Sequence, residues 1–182
     1  MKKYYFTSES VTEGHPDKVC DLISDTILDE CLKQDEFSRV AIETFASKNL
    51  ITIAGQLTTN AKIDVEKIAR GVLKDIGYDN ENTDIDYRTC KVEVNITKQS
   101  TDIAMGVDIG GAGDQGIMFG YASDETEELM PFAISMAHKL TKKLTEVRRT
   151  GEIKYLRPDR KITGYSRIWG RCSKKNWHNF NF

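Results

Sequence analysis

Two strand-like segments joined by a short turn constrain the fold of this chain more than any other feature. Residues 40–45 alternate with the period of a β-strand, with Ile42 on one side and Glu43 on the other. The Lys-Asn pair at 48–49 can turn the chain into a second strand over residues 50–57. The pattern predicts a β-hairpin, and a local hairpin argues against a doubly wound parallel sheet.

Helical periodicity marks three further segments. After Pro16, a residue favoured at the first helical position, apolar side chains recur every four residues. These are Val19, Ile23, Ile27 and Cys31. A second helix is expected to end at Gly77, and a third lies within residues 130–149. Their predicted apolar faces are Ile63, Ile68, Val72 and Ile76 for the second helix, and Phe132, Ile134, Ala137, Leu140, Leu144 and Val147 for the third.

Three more strands complete the predicted order of elements. They are expected at residues 4–7, 90–98 and 117–122, with a glycine-rich loop over residues 100–116. The resulting order is strand, helix, two strands, helix, strand, loop, strand and helix. This order predicts an α+β fold, in which helices pack on one face of a mixed or antiparallel sheet.

Composition excludes several classes of function. The net charge of −2 offers no electrostatic footprint for nucleic acid or for an anionic membrane surface. No apolar stretch near Met1 has the length of a signal peptide, and no segment has the length of a transmembrane helix. The cysteines are widely spaced, without a zinc-knuckle pair or a disulfide framework. We therefore expect a protein of the reducing cytoplasm with small-molecule or protein partners.

The segment EGHPDK, residues 13–18, is the first constellation that could carry chemistry. It lies at the amino end of the first predicted helix, where free backbone N–H groups favour anions such as phosphates. His15 could donate a hydrogen bond there, Asp17 could hold a divalent cation, and Lys18 could add positive charge. The alternative is that Asp17 only complements the helix dipole and that His15 is an ordinary surface residue.

Other polar groups admit two interpretations each. The glycine-rich run with Asp114 matches neither a Walker loop nor a dinucleotide fingerprint, and it could be a flexible connection. Glu43 and Gln56 lie on the two hairpin strands, where an inward carboxylate needs a cation and an outward one is simply solvated. Asp159 and Lys161 could meet a ribose or phosphate, or could be surface charge.

Taken together and in order, these segments resemble the methionine adenosyltransferase (S-adenosylmethionine synthetase) family. The resemblance covers residues 1 to about 161. It rests on FTSESVTEGHPDKVCDLISD, GQLTT, KQS, VDIGGAGDQGIMFGYA, ETEELMP and LRPD. It implies that ATP and L-methionine are condensed to S-adenosylmethionine, with release of phosphate and pyrophosphate. It also implies a homodimer or higher oligomer and the cofactors Mg²⁺ and K⁺.

The resemblance also implies roles for individual residues. His15 and Lys161 are the catalytic positions, and both contact ATP together with Asp159. The methionine contacts are Gln56, Gln99 and Asp114. The metal ligands are Asp17 for magnesium and Glu43 for potassium, and residues 99–109 form a flexible gate. Three positions depart from the family pattern: Gln56 replaces a glutamate, Thr101 a proline and Arg160 a small residue.

The sequence after Lys161 departs further. One codon choice for residues 162–169, translated one base later, gives SQVTVEY, which is the family's continuation. We therefore expect a frameshifted, aberrant tail at 162–182 that is disordered or poorly packed. The preceding boundaries are an N-terminal domain at 1–101 and a gate loop with the start of a truncated central domain at 102–161.

The leading interpretation is a methionine adenosyltransferase that has low activity or is inactive in this truncated form, and two other functions compete with it. The chain could be a non-catalytic interaction protein that pairs with full-length subunits. It could also be a generic nucleotide-binding module, since a helix terminus and a glycine-rich loop suffice for that. The family resemblance favours the methionine adenosyltransferase, because a generic module leaves the combined motifs unexplained.

Overall fold

The computed structural model describes residues 3–79, 83, 85–98, 115–169 and 176–181. These residues form the following elements: β1 Lys3–Val11, α1 Pro16–Leu32, β2 Arg39–Ser47, β3 Leu50–Thr58, α2 Val65–Ile76, β4 Lys91–Thr97, α3 Phe132–Arg149, β5 Lys161–Trp169 and β6 Asn176–Asn181. The chain divides into two compact units. We call Pro16–Met118 the hairpin unit, and Met1–His15 together with Phe119–Phe182 the split unit.

The predicted hairpin forms the centre of the hairpin unit. Strands β2 and β3 are antiparallel, and Ser47 pairs with Leu50 across the turn. Lys48 has a φ of 48°, the left-handed conformation that tight hairpin turns favour. Strand β4 adds to β3 in parallel, after α2 has crossed between them. The sheet is therefore mixed, and the predicted α+β class is confirmed.

Helix α1 buries the face that its sequence predicts. Val19, Ile23, Ile27 and Cys31 are all 1% exposed or less. They belong to one core with the β3 residues Ile51 and Ile53, which are fully buried. The hydroxyls of Ser24 and Thr44 are 2.9 Å apart and link α1 to β2. The four-residue spacing of large apolar side chains therefore fixes how α1 lies on the sheet.

Helix α2 has the predicted end but a rotated face. Asp64 caps its amino end by accepting a hydrogen bond from the Lys67 backbone N–H, and Gly77 ends it with a φ of 102°. The buried residues are Ala69, Leu73 and Ile76. Ile68 and Val72 pack at the edge of the core, and Ile63 precedes the helix. Only Ile76 of the predicted face is buried, because the helix turns Ala69 and Leu73 into the core that it shares with α1.

The split unit has a sheet of its own. Strand β1 pairs antiparallel with β5 over its full length, and β5 pairs antiparallel with β6. Helix α3 packs on β1 and β5. Its buried residues are Ala133, Ser135, Ala137, Thr141 and Val147. The predicted face was correct at Ala137 and Val147, whereas Ile134 and Leu140 are half-buried, because small side chains line the helix–sheet contact.

Two predictions about single segments are wrong. Residues 117–122 form no strand, and Met118 is 93% exposed. An isolated apolar segment lacks the ladder of a partner strand, and no strand in the described part of the chain pairs with it. Residues 162–169 lie in strand β5 with Ile162 fully buried, whereas the sequence predicts disorder or poor packing there. The segment contains three β-branched and two aromatic residues, a composition that suits a strand whatever its reading frame.

Candidate functional site

Two motifs from distant parts of the chain meet in the split unit. The backbone N–H of Thr12 donates to the Arg160 carbonyl at 2.8 Å, and the N–H of Gly14 donates to the Pro158 carbonyl at 3.2 Å. The Thr12 hydroxyl also donates to the Pro158 carbonyl at 2.6 Å. The loop that carries His15 is therefore fastened to the turn that carries Asp159.

Gly14 is required for this contact. A Cβ atom added at Gly14 would lie 2.4 Å from the Pro158 carbonyl carbon and 2.7 Å from the Asp159 nitrogen. Backbone atoms at that distance cannot yield without moving the turn. The glycine therefore lets the loop and the turn touch. The residues that follow each contact, His15 and Asp159, consequently lie at the same end of the split unit.

Lys161 begins β5 at the same place. It is opposite Val11 in the β1–β5 register, and its ammonium group lies 3.2 Å from a carboxylate oxygen of Glu9. A hydrogen bond from Lys161 and one from Thr163 lower the pKa of Glu9. Asp159 and Lys161 are exposed, and His15 is half-buried. An imidazole, a carboxylate and an ammonium group thus lie at one edge of the unit.

An ion-pair cluster that sequence reasoning missed holds the same loop. The Glu13 carboxylate accepts hydrogen bonds from Arg148 and from Arg149, whose Nη2 lies 2.8 Å from Glu13 Oε2. Burial opposes the charge on Glu13, but the bonds from Arg149 and Arg148 outweigh it, so the pKa is lowered. The available signal was the Arg-Arg pair at the carboxyl end of α3, where cations are favoured. Nothing in the sequence indicated that Glu13 would be their partner.

Glu43 and Gln56 lie together in the hairpin unit. Glu43 pairs with Ala54, and Gln56 pairs with Ala41. Because Ala41 and Glu43 are two residues apart on β2, the side chains of Glu43 and Gln56 are on one face of the sheet. This face is opposite the one that buries Ile42. Glu43 is exposed and Gln56 is half-buried. The structure therefore brings these two predicted site residues side by side.

Gly55 allows the strands to approach at this point. It has a φ of 142°, and an added Cβ would lie 2.1 Å from the Ala41 carbonyl oxygen. No L-residue fits such a contact without displacing β2. Gly55 immediately precedes Gln56, so the backbone conformation that only glycine tolerates sets the position of the Gln56 side chain.

The remaining predicted site residues are placed only in part. Asp17 and Lys18 are exposed in the first turn of α1, and no cluster of three or more metal-binding side chains occurs among the described residues. One carboxylate fits the usual magnesium mode, in which phosphates and water complete the shell. Gln99, Asp114 and the gate at 99–109 lie outside the described residues.

The chemistry available in the described residues suits a polyanionic ligand. His15 can donate a hydrogen bond, Lys161 can donate one and neutralise charge, and Asp159 can accept from a sugar hydroxyl.

Among the helices that the structure describes, none combines the length and the apolar character of a membrane span.

Comparison with known proteins identifies two family models along the chain. The model of the S-adenosylmethionine synthetase N-terminal domain matches residues 3–101, and the model of the central domain matches residues 109–163. A relative from Brachyspira hyodysenteriae, named S-adenosylmethionine synthase, is 54% identical over 88% of this chain and 44% of its own. A synthase of the same name from Mesoplasma florum is 54% identical over 86% of this chain and 42% of its own. S-adenosylmethionine synthase 1 from Rhodopseudomonas palustris is 54% identical over 89% of this chain and 43% of its own. The chain spans less than half the length of the curated relatives it matches.

Proposed function

We propose a function for this chain from one premise: it belongs to the S-adenosylmethionine synthetase family. The proposed reaction is that of a methionine adenosyltransferase. The sulfur of L-methionine attacks C5′ of ATP, the triphosphate leaves, and it is then hydrolysed to pyrophosphate and phosphate. Every relative named above is an S-adenosylmethionine synthase, and this supports the same activity here.

The observation that carries the proposal is the meeting of the two motif segments in the split unit. Thr12 and Gly14 hold the turn of Pro158 and Arg160, so three groups that suit a nucleotide lie at one edge. These groups come from positions more than a hundred residues apart in the chain. A ligand that contacts both the His15 loop and the Asp159 turn gives a physical reason for holding the two segments together. Unrelated surface charges would not need such contacts.

The proposed roles follow from the chemistry of each side chain. His15 donates a hydrogen bond to an oxygen of ATP near the reacting carbon, and Lys161 neutralises the charge that grows on the departing triphosphate. Asp159 accepts a hydrogen bond from the ribose. Asp17 would hold Mg²⁺ through its carboxylate, and the bound ion would neutralise phosphate charge. The contributions of His15 and Lys161 are greatest in the transition state, where negative charge develops on the departing triphosphate.

The methionine half of the proposal rests on the exposed face of the hairpin unit. Gln56 accepts a hydrogen bond from the methionine ammonium group, with Gln99 and Asp114 as the other methionine contacts. Glu43, beside Gln56 on that face, would hold K⁺. A neutral amide binds an ammonium group more weakly than a carboxylate does. We therefore propose a lower methionine affinity than a glutamate at position 56 would give.

The experiment is S-adenosylmethionine formation from ATP and methionine with Mg²⁺ and K⁺. The purified chain is compared with His15→Asn, Asp159→Asn and the control Lys154→Gln, which changes an exposed residue of the same unit. We expect little product from the chain alone, and a loss of at least about tenfold in both site variants but not in the control. Equal, measurable rates in all four proteins would contradict the proposal.

A second candidate is a non-catalytic protein that pairs with full-length subunits. The observation that favours pairing is the open face of the hairpin sheet, where Phe45 is 61% exposed beside Glu43. The same face could join two copies into a homodimer or higher oligomer. Mass measurement in solution, alone and with a full-length synthase, separates these cases: a mixed complex without product formation favours the second candidate.

Domain boundaries and location complete the proposal. The proposed boundaries are 1–101 for the N-terminal domain, 102–161 for the gate loop and the start of the central domain, and 162–182 for a tail of altered reading frame. The proposed location is the cytoplasm, where ATP and reducing conditions are available. Sequencing the gene across the codons for residues 160–163 tests the altered frame, because the proposal requires one displaced base there.

A further inference from the structure

We infer that Thr12 is a positioning residue that holds the Asp159 turn against the His15 loop. The inference rests on the proposed nucleotide site, because it gives Thr12 a role in the geometry of that site. Thr12 belongs to none of the groups assigned to ATP, methionine or metal. It is 5% exposed, so it does not itself face a ligand in solution.

The contacts of Thr12 surround Asp159 on both sides. Its hydroxyl oxygen lies 2.6 Å from the Pro158 carbonyl and accepts a hydrogen bond from the Arg160 backbone N–H at 2.8 Å. The same oxygen lies 3.1 Å from the Arg160 carbonyl. The Thr12 backbone N–H donates to that carbonyl at 2.8 Å. One residue therefore fixes the peptide groups immediately before and after Asp159.

The other end of the loop is fixed as well. His15 donates its backbone N–H to the Thr12 carbonyl at 3.0 Å, which closes a turn over Glu13 and Gly14. Thr12 thus contacts the His15 turn through its carbonyl and the Asp159 turn through its hydroxyl and N–H. A shift of Thr12 would displace both groups together. This arrangement couples the position of His15 to that of Asp159.

A serine keeps the hydroxyl, whereas a valine has the shape of threonine without it. Thr12→Val leaves the Pro158 carbonyl without its donor and the Arg160 N–H without its acceptor, beside a side chain that is only 5% exposed. We expect the turn to rearrange so that these groups find water. Thr12→Ser retains both of these hydroxyl hydrogen bonds and should retain the turn.

Thr141→Val provides a matched control. Thr141 is also 5% exposed in the split unit, and its hydroxyl lies 3.0 Å from the Ser10 hydroxyl and donates to the Ala137 carbonyl. Its removal deletes a buried hydroxyl of the same kind without touching the His15 loop or the Asp159 turn. A general loss of stability would appear in both valine variants. A positional effect would appear only in Thr12→Val.

The experiment has two readouts on the full chain. The first is the amide NMR shifts of Gly14, His15, Asp159 and Arg160 without nucleotide, and the second is the calorimetric affinity for Mg-ATP. We expect Thr12→Val to displace these shifts and to weaken Mg-ATP binding about tenfold, with Thr12→Ser and Thr141→Val within about twofold of the unmodified chain. Thr12→Ala is measured in parallel in case Thr12→Val does not fold, with the same expected losses.

Each outcome has one meaning. Unchanged shifts and affinity in Thr12→Val, or an equal loss of affinity in Thr141→Val, would overturn the inference. If the unmodified chain does not bind Mg-ATP, the proposed function fails, and the NMR shifts alone decide whether Thr12 fixes the turn. Displaced shifts with unaltered affinity would overturn the positioning role, because the turn would then move without consequence for the ligand.

Discussion

Replacement of Gly55 by alanine is the sharpest test of how the hairpin unit is built. Gly55 has a φ of 142°, and an alanine Cβ there would lie 2.1 Å from the Ala41 carbonyl oxygen. The contact is with backbone, so no side-chain rotation relieves it. Either β3 changes its conformation at this residue or β2 moves away.

Three contributions set the expected change in the free energy of unfolding of Gly55→Ala. A backbone conformation reserved for glycine costs about 1–3 kcal/mol in another residue. Overpacking against a fixed neighbour costs about 1–3 kcal/mol. The smaller entropy of the unfolded alanine chain offsets about 0.4–1 kcal/mol of this. We expect a net loss of about 2–4 kcal/mol in the free energy of unfolding of the hairpin unit.

The assay is urea unfolding followed by circular dichroism. For a slope near 2 kcal/mol per molar urea, the loss lowers the unfolding midpoint by about 1–2 M. The matched control is Gly71→Ala. Gly71 is exposed in α2 with nothing within 4 Å of an added Cβ, so this change should stabilise the protein by about 0.5–1 kcal/mol.

The two glycines therefore predict opposite signs for the same substitution. A Gly55→Ala midpoint within about 0.3 M of the unmodified chain would refute the packing argument. So would destabilisation by Gly71→Ala of the same size as that by Gly55→Ala, because Gly71 has no neighbour like Ala41 and a loss common to both variants could not come from the Ala41 contact.

Three further predictions concern the hairpin unit. Hydrogen bonds from the Arg88 side chain and backbone lower the pKa of Asp86 to about 2, so its stabilising contribution is complete above its ordinary pKa of 3.8 and is lost as the pH falls toward 2. Acid unfolding of Arg88→Met should therefore depend less on pH between those values, and an unaltered pH profile would contradict this. Gly77→Ala should lower the free energy of unfolding in urea by about 1 kcal/mol, because Gly77 ends α2 with a φ of 102°, which strains an alanine backbone. An unchanged unfolding midpoint would contradict this backbone strain. Gln56→Glu should strengthen methionine binding by about tenfold in calorimetry, and equal or weaker binding would separate Gln56 from the methionine ammonium group.

Local patterns predicted the elements whose determinants lie within a few residues. The hairpin followed from alternation and a two-residue turn, and both appear in the β2–β3 register. Helix α1 followed from large apolar side chains at a constant spacing. Gly77 marked the end of α2 because few other residues adopt its φ. These features depend on backbone conformation and on one helical face.

Features that depend on distant partners were beyond such patterns. The buried faces of α2 and α3 include Ala69, Ala133 and Ser135, whose small side chains carry little weight in a hydrophobic pattern but permit close packing. Residues 117–122 have strand composition, yet a strand forms only where another strand pairs with it.

The candidate site divides in the same way. The residues that could meet a ligand were recognised because their motifs are unusual in sequence. Their supports were not recognised, because Thr12 acts on Pro158 and Glu13 acts on Arg149, more than a hundred residues away. No spacing rule connects positions so far apart. The structure supplied the hydrogen bonds that join the motifs into one edge of the split unit.

The most direct test of the central claim is an NMR titration of the chain with Mg-ATP. The account predicts that the amides of Gly14 and His15 and those of Asp159 and Lys161 all shift, and that one dissociation constant fits both segments. Shifts in only one segment, or two different constants, would contradict the claim that these segments form a single nucleotide site.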